Sequence, residues 1–537
     1  MTTTYLTLDG VSFVLPDGRT LFSDITASFD ERRTGLVGRN GVGKSVLARI
    51  LAGGLAPGGG RCARFGRVYY IAQRVADDAR ESVAALAGVG DAMAALARIE
   101  AGSSDPADFD AVGDRWDVRE RLRDALDRAG LAHVGTDDSA GTLSGGEAMA
   151  VALLGARLDA ADYLILDEPS NHLDGAARDA LLAWIRAWKG GMLVVSHDRR
   201  LLGAMERIVE LTPSGLRHYG GDYDFYVQAR REEREASLRA LDARRAERRR
   251  GEAALREQQE KLARRQSRGQ RDARGANQAP ILLGGQKSRS EAAAGKLRRQ
   301  QDALRDDLSQ RVAEAARRVD DDASVAVLAP AVAQASRRRV ALLEDVVLPF
   351  VGDAMAPIAM TLMGGQRVGV TGPNGSGKST LLRVLAGRLA PVAGRCDVSV
   401  QTAWLDQRLS TLDPSRPLIE QMREANPATG DDLLRLRLAL LGIDADRVSV
   451  AVGHLSGGER LKAALAHALV AEPPPQLLLL DEPGNHLDLA SLEALEAMLL
   501  DYDGALVVVS HDETFLDRLG LTHRLAAGQG RWTMQPV

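Results

Sequence analysis

The sequence of 537 residues predicts an α/β chain made of two copies of one unit joined by a long, basic helical hairpin. Three observations predict this. Landmark residues recur at constant offsets, and in both halves short apolar runs bounded by turn residues alternate with helical stretches. Between the halves, residues 223–320 lose every strand signal and turn rich in Arg, Ala, Gln and Glu. The boundaries that follow are 1–222, 223–322 and 323–537.

The recurrence is the strongest of the three. Gly38, Lys44, Cys62 and Gln73 return 334 residues later as Gly372, Lys378, Cys396 and Gln407. Ser144 returns as Ser456 after 312 residues, and Asp167, Glu168 and His197 return as Asp481, Glu482 and His511 after 314. Offsets that hold over such distances mean a duplication. The runs YLILDE, LLLLDE, MLVVSH and ALVVVSH read as strands buried on both faces, and their alternation with helices reads as α/β.

Composition excludes several classes. An apolar content of 45% with 26% charged residues describes a globular chain, not a disordered one. No apolar run approaches the roughly 18 residues of a membrane span, and the N-terminal MTTTYLTLDG lacks the basic and apolar regions of a signal peptide. A cytoplasmic protein is expected. The two cysteines, Cys62 and Cys396, stand at equivalent places in separate copies and form no C-x-x-C pair. They are expected to be small buried side chains, with neither zinc nor a disulfide.

The net charge of −4 conceals a segregation. Residues 230–318 hold 25 Lys/Arg against 14 Asp/Glu, a net of +11, which leaves −15 on the rest of the chain. That segment reads as two helices folded back on each other, broken between Gly275 and Gly285. Leu255 and Leu262, then Leu297 and Leu304, have the heptad spacing of a helix–helix seam. The first helix, of about 45 residues, would reach about 65–70 Å. Its far end concentrates charge: residues 261–289 hold eight basic side chains and one acid, Asp272. Arg264, Arg265, Arg268, Arg271 and Arg274 there suit the phosphates and bases of folded RNA.

Two segments, Gly38–Ser45 (GRNGVGKS) and Gly372–Ser379 (GPNGSGKS), match the phosphate-binding loop G-x-x-x-x-G-K-[ST] between a strand and a helix. Gly38, Asn40, Gly41 and Gly43, and likewise Gly372, Asn374, Gly375 and Gly377 with Thr380, would turn backbone N–H groups onto phosphate oxygens. Lys44 and Lys378 would reach the β- and γ-phosphates, while Ser45 and Ser379 would ligate Mg²⁺. Asp167-Glu168 and Asp481-Glu482 close apolar strands, where paired carboxylates are costly unless they have work to do. Each aspartate would hold Mg²⁺ through water, and each glutamate would polarise an attacking water. Leu143–Glu147 and Leu455–Glu459 both read LSGGE. Ser-x-x-Glu is also an ordinary capping box. The Gly-Gly pair and the recurrence upstream of each Asp-Glu strand favour a functional role.

These motifs together resemble the ATP-binding-cassette superfamily, across nearly the whole of both copies. The resemblance implies ATP and Mg²⁺ as ligands, ATP hydrolysis, and sites shared head to tail between cassettes. Lys44, Asp167 and Glu168 would face Ser456, Gly457 and Gly458; Lys378, Asp481 and Glu482 would face Ser144, Gly145 and Gly146. It further implies that Gln73 and Gln407 sense Mg²⁺ and the attacking water, and that His197 and His511 are switch residues at the γ-phosphate. DEPSNHLD (Asp167–Asp174) and DEPGNHLD (Asp481–Asp488) resemble the DEPTNHLD of the ABC-F group, with Ser170 and Gly484 in place of Thr. That group acts on ribosomes, so rRNA and tRNA are the implied partners of the basic insert. The competing implication is an ATPase subunit for a separate membrane permease, a class with short linkers and frequently one degraded site. The copies also differ. Phe350 stands where an aromatic stacks on adenine and Leu15 stands there in copy 1; Arg460 matches Ala148, and Thr380 matches Val46. Two unequal sites are expected.

Overall fold

The computed structural model describes the chain except residues 1–3, 74–80, 172, 276–298, 300, 301, 317–337, 352–354, 407, 408, 410, 441, 442, 444, 456, 472 and 486. It divides into two compact units, Val227–Ala323 and a larger one of Met1–Tyr226 with Ser324–Val537 that holds both copies.

Each copy carries the same pair of sheets. In the first, Thr4–Val14 pairs antiparallel with Thr20–Asp30 and with Gly59–Arg64. A six-stranded sheet follows, in the spatial order Val68–Ile71, Tyr163–Asp167, Gly191–Val195, Arg33–Val37, Arg207–Thr212, Gly215–Gly220. All neighbours are parallel except the last pair. The second copy repeats this order with Thr402–Leu405, Leu477–Asp481, Ala505–Val509, Arg367–Thr371, His523–Gly528 and Arg531–Pro536. The strands Tyr163–Asp167, Gly191–Val195, Leu477–Asp481 and Ala505–Val509 are buried along their whole length. Covered on both faces, they need apolar residues at every position, and this is why they read as unbroken runs. Cys62 and Cys396 lie half-buried on the third strands of the two small sheets, and both are free.

The longer stretch of copy 1 between Gln73 and its LSGGE forms helices Gly90–Glu100, Pro106–Val112 and Val118–Arg128 over their own apolar cluster. Two of its acids are structural. Asp105 caps the short helix by accepting from the Ala107 N–H at 2.9 Å, and buried Asp108 accepts from Arg98 Nε at 2.8 Å.

The helix that starts at Tyr223, in the larger unit, runs to Gly275 in the smaller one, 53 residues and longer than the sequence suggested. No proline or paired turn residue interrupts it, and single glycines cost a helix only about 1 kcal/mol each. Residues 302–316 are helical and run antiparallel to it: Arg311 pairs with Glu247 at 3.5 Å, and Leu308 seats over Gly251. A Cβ on Gly251 would stand 2.6 Å from Cδ1 of that leucine. The expected seam is therefore corrected in part. Leu255 is buried, but Leu304 is 44% exposed and Leu308 takes the inward place. Leu297 and the side chain of Leu262 lie outside the described residues, as do the side chains of Arg265, Arg271 and Arg274; Arg264 and Arg268 are exposed.

Candidate nucleotide sites

Both phosphate loops take the conformation that their glycines permit. Gly43 and Gly377 cap the following helices at φ of 106° and 91°, a region closed to most side chains, and Lys44 and Lys378 open those helices. Without a side-chain cap, the first N–H groups of each helix stay available to an anion. Lys44 Nζ donates to the carbonyls of Gly38 (2.8 Å) and Arg39 (3.2 Å), and Lys378 Nζ to those of Gly372 and Pro373, both at 2.8 Å. Burial pushes both ammonium groups below the ordinary lysine range, against the pull of nearby carboxylates.

The carboxylates sit at the ends of the buried strands. Ser45 Oγ donates to Asp167 Oδ1 at 3.1 Å, and the Tyr70 hydroxyl donates to Oδ2 at 3.1 Å. Glu168 and Glu482 both adopt φ of 49°, an uncommon left-handed conformation for glutamate, held by N–H bonds to the carbonyls of Val195 (2.8 Å) and Val509 (2.9 Å). Burial pushes the Glu168 carboxyl up to about 8 and that of Glu482 up to about 7. His197 Nε2 stands 3.5 Å from Glu168 Oε1, and His511 Nε2 stands 3.6 Å from Glu482 Oε1. Burial lowers the two imidazoles to about 3 and about 4, so both are neutral at pH 7.

The copies meet across these loops. The Asn40 N–H donates to Asp488 Oδ2 at 2.9 Å, and the Asn374 N–H to Asp174 Oδ2 at 3.4 Å. Each aspartate ends the DEPxNHLD motif of the opposite copy and caps the helix after it. A cavity of about 580 Å³ over the first loop is lined by Lys44, Ser45, Gln73, Glu168 and His197, and by Gly457 of the second LSGGE and Arg460 just after it. The cavity of about 310 Å³ over the second loop is lined by Phe350, Lys378, Ser379, Thr380, Asp481, Glu482 and His511, with Leu173 and Arg178 from the first copy. Ser144, Gly145 and Gly146 do not line it. Ser144 forms the capping box with Glu147 (N–H to Oε2 2.8 Å; Oγ from N–H 3.3 Å), so in copy 1 the local role weighed from the sequence is real. The second glycine of each pair has a packing reason: a Cβ on Gly146 would lie 2.9 Å from Ala177 Cβ, and one on Gly458 2.9 Å from Ser491 Oγ. Gln407 and Ser456 lie outside the described residues.

Sequence reasoning passed over Asp174 and Asp488 as cross-copy contacts, although both stand in the doubled motif. It also passed over Tyr70, whose counterpart 334 residues on is Trp404, and over Arg178. Phe350 is 89% exposed on the second cavity, and Leu15 lines the first. Phe13 packs toward Phe22, ring centroids 6.4 Å apart, and does not line the cavity.

The donor sets suit a magnesium nucleotide. A hydroxyl beside a carboxylate supplies the hard oxygens that Mg²⁺ prefers. Among the described residues both ring nitrogens of His197, Ser376 Oγ and Glu482 Oε1 are buried without a hydrogen-bond partner, a vacancy in bonding that a polyphosphate and its water would fill.

A family model described as ABC transporter matches residues 24–171 and 355–485, once in each copy. The chain is 32% identical to the "Tylosin resistance ATP-binding protein TlrC" of Streptomyces fradiae, over 94% of each protein. It is 31% identical to the "Probable ATP-binding protein YheS" of Escherichia coli (strain K12), over 94% of this chain and 77% of that one. It is 30% identical to the "Energy-dependent translational throttle protein EttA" of Mycobacterium tuberculosis, over 95% and 88%. The solved structure "RNase-L Inhibitor" shares the fold, with a TM-score of 0.56 at 18% identity over 98% of this chain and 91% of that one.

Proposed function

The chain belongs to the ABC-F family of tandem ATP-binding-cassette ATPases, and from that premise we propose that it acts on the ribosome, ATP-driven closure of the cassettes positioning the basic linker near tRNA and rRNA. In this reading Lys44 and Lys378 hold the phosphates of ATP, and the two phosphate loops cradle them. Mg²⁺ would be held by Ser45, Asp167 and Gln73 at one site and by Ser379, Asp481 and Gln407 at the other. The chemistry it supplies when bound is neutralisation of phosphate charge. Glu168 and Glu482 each orient a water and take its proton; a carboxyl raised toward neutrality by burial suits a general base. His197 and His511, neutral and beside those glutamates, report the γ-phosphate to the strand ends that carry them.

One observation carries the link from closure to the arm. The helix that becomes the linker begins at Tyr223, whose hydroxyl accepts from Arg199 Nε at 3.2 Å, while the same guanidinium pairs with Glu496 of the second cassette. The first turn of that helix, which belongs to the larger unit, is thereby tied to the place where the cassettes touch, and in this reading their closure moves it. The name of the translational throttle relative and the net charge of +11 on residues 230–318 support the ribosome as the target. The test is steady-state ATP turnover with and without purified ribosomes. Stimulation by ribosomes is expected; turnover indifferent to them, but raised by membranes that carry a permease, would overturn the reading.

A further inference from the structure

We propose that Arg178, carried by the first cassette, is a phosphate-facing residue of the second cassette's nucleotide site. The inference rests on the reading of the Lys378 loop as an ATP site. Arg178 lies in the first turn of the helix Gly175–Ala187, and its side chain is only 12% exposed. It forms part of the wall of the cavity that holds Lys378, Glu482 and His511. Its charge opposes the burial that raises the Glu482 carboxyl and also lowers the His511 imidazole, as a cation in the same cavity wall does.

The anchoring of the side chain suits this role. Nε donates to the Leu173 carbonyl at 3.1 Å, and Nη1 stands 3.6 Å from Asp198 Oδ2. These contacts orient the planar fork and leave its other N–H groups for phosphate oxygens, a geometry in which arginine excels. Asp198 directly follows His197, so the residue that meets phosphate in one site is tethered beside the switch histidine of the other.

The duplication supplies an internal control. The counterpart of Arg178, 314 residues on, is Leu492, which is buried and lines the cavity over the first loop. The fold therefore accepts an apolar side chain at this place. Arg178 borders both cavities and is the cation in the wall of the second that the first copy supplies, whereas Leu492 borders the first alone.

The test uses the full chain carrying Lys44→Ala, so that only the Lys378 loop binds, titrated calorimetrically with ATP and with ADP in the presence of Mg²⁺. Arg178→Leu, which copies Leu492, is expected to weaken ATP about tenfold while ADP changes by less than about twofold; Arg178→Lys should keep most of the ATP affinity. Because Arg178→Leu also takes the ion-pair partner from Asp198, which keeps its bonds from the Arg200 and Leu201 N–H groups, the double variant Arg178→Leu, Asp198→Asn is measured beside it. ATP affinity equal to the parent's in Arg178→Leu, or restored by the added Asp198→Asn, would overturn the proposal. If the Lys44→Ala parent bound no ATP, the reading of the Lys378 site would fail, and the proposal with it.

Discussion

Arg199 and Glu496, 297 residues apart in the sequence, form a buried ion pair that joins the two cassettes. Their side chains are 2% and 7% exposed, and Arg518 adds a second cation to Glu496 at 3.3 Å. The pair is one-sided. The duplicated counterparts are Glu513 and Leu182, which leave the other side of the interface without an equivalent.

Removing one member of a buried pair strands the other. Glu496→Ala is expected to destabilise the larger unit by about 3–5 kcal/mol, read by chemical denaturation, because Arg199 loses its counter-charge. Arg199→Leu combined with Glu496→Leu should recover most of that loss. Equal destabilisation by the single and double changes would show that the pair matters by packing alone.

The two nucleotide sites should bind unequally. Phe350 offers an exposed ring to a base and Leu15 does not, and an aromatic–base stack is worth about 1–3 kcal/mol. Leu15→Tyr is expected to tighten nucleotide at the first site and Phe350→Leu to weaken the second. Single-site titrations, each with the other phosphate-loop lysine replaced, read the difference directly; equal affinities in the parent would contradict it.

Hydrolysis should depend on both strand-end glutamates. Glu168→Gln with Glu482→Gln is expected to abolish steady-state turnover while ATP stays bound, since the amide keeps the shape of the side chain and cannot take a proton. Phosphate release and retained nucleotide, assayed together, separate this from a binding defect. Near-parental turnover would remove both residues from the mechanism.

In the linker, the register of the hairpin is testable through two leucines. Leu308→Ala should cost about 2–5 kcal/mol and speed hydrogen exchange in residues 302–316, because Leu308 is buried over Gly251. Leu304→Ala, at a 44% exposed position, should stay within about 0.5 kcal/mol. The reverse ranking would restore the seam expected from heptad spacing.

That contrast shows where the sequence stops being legible. Offsets of 334 and 314 reveal the duplication, and continuous apolar runs reveal strands covered on both faces, because local chemistry decides these features. The phosphate loops and strand-end carboxylates are legible for the same reason: each motif lies within a few residues. Arg178, Asp488 and the Arg199–Glu496 pair are not, since their partners lie hundreds of residues away and only the docking of the copies brings them together. Leu304 and Leu308 fall on neighbouring turns of one helix, and spacing alone cannot tell which of them meets Gly251 across the hairpin.

The most direct measurement of ribosome action is co-sedimentation of the Glu168→Gln, Glu482→Gln protein with ribosomes in ATP, over a series of salt concentrations. Its binding is expected to fall steeply with salt. Replacing Arg264, Arg265, Arg268, Arg271 and Arg274 with Ser should weaken it and flatten the log–log salt slope by about three to five, with ribosome-free ATPase activity of the otherwise unmodified chain unchanged. Co-sedimentation that ignores ATP, or that keeps its strength and salt slope after all five arginines are gone, would contradict the role of the basic arm.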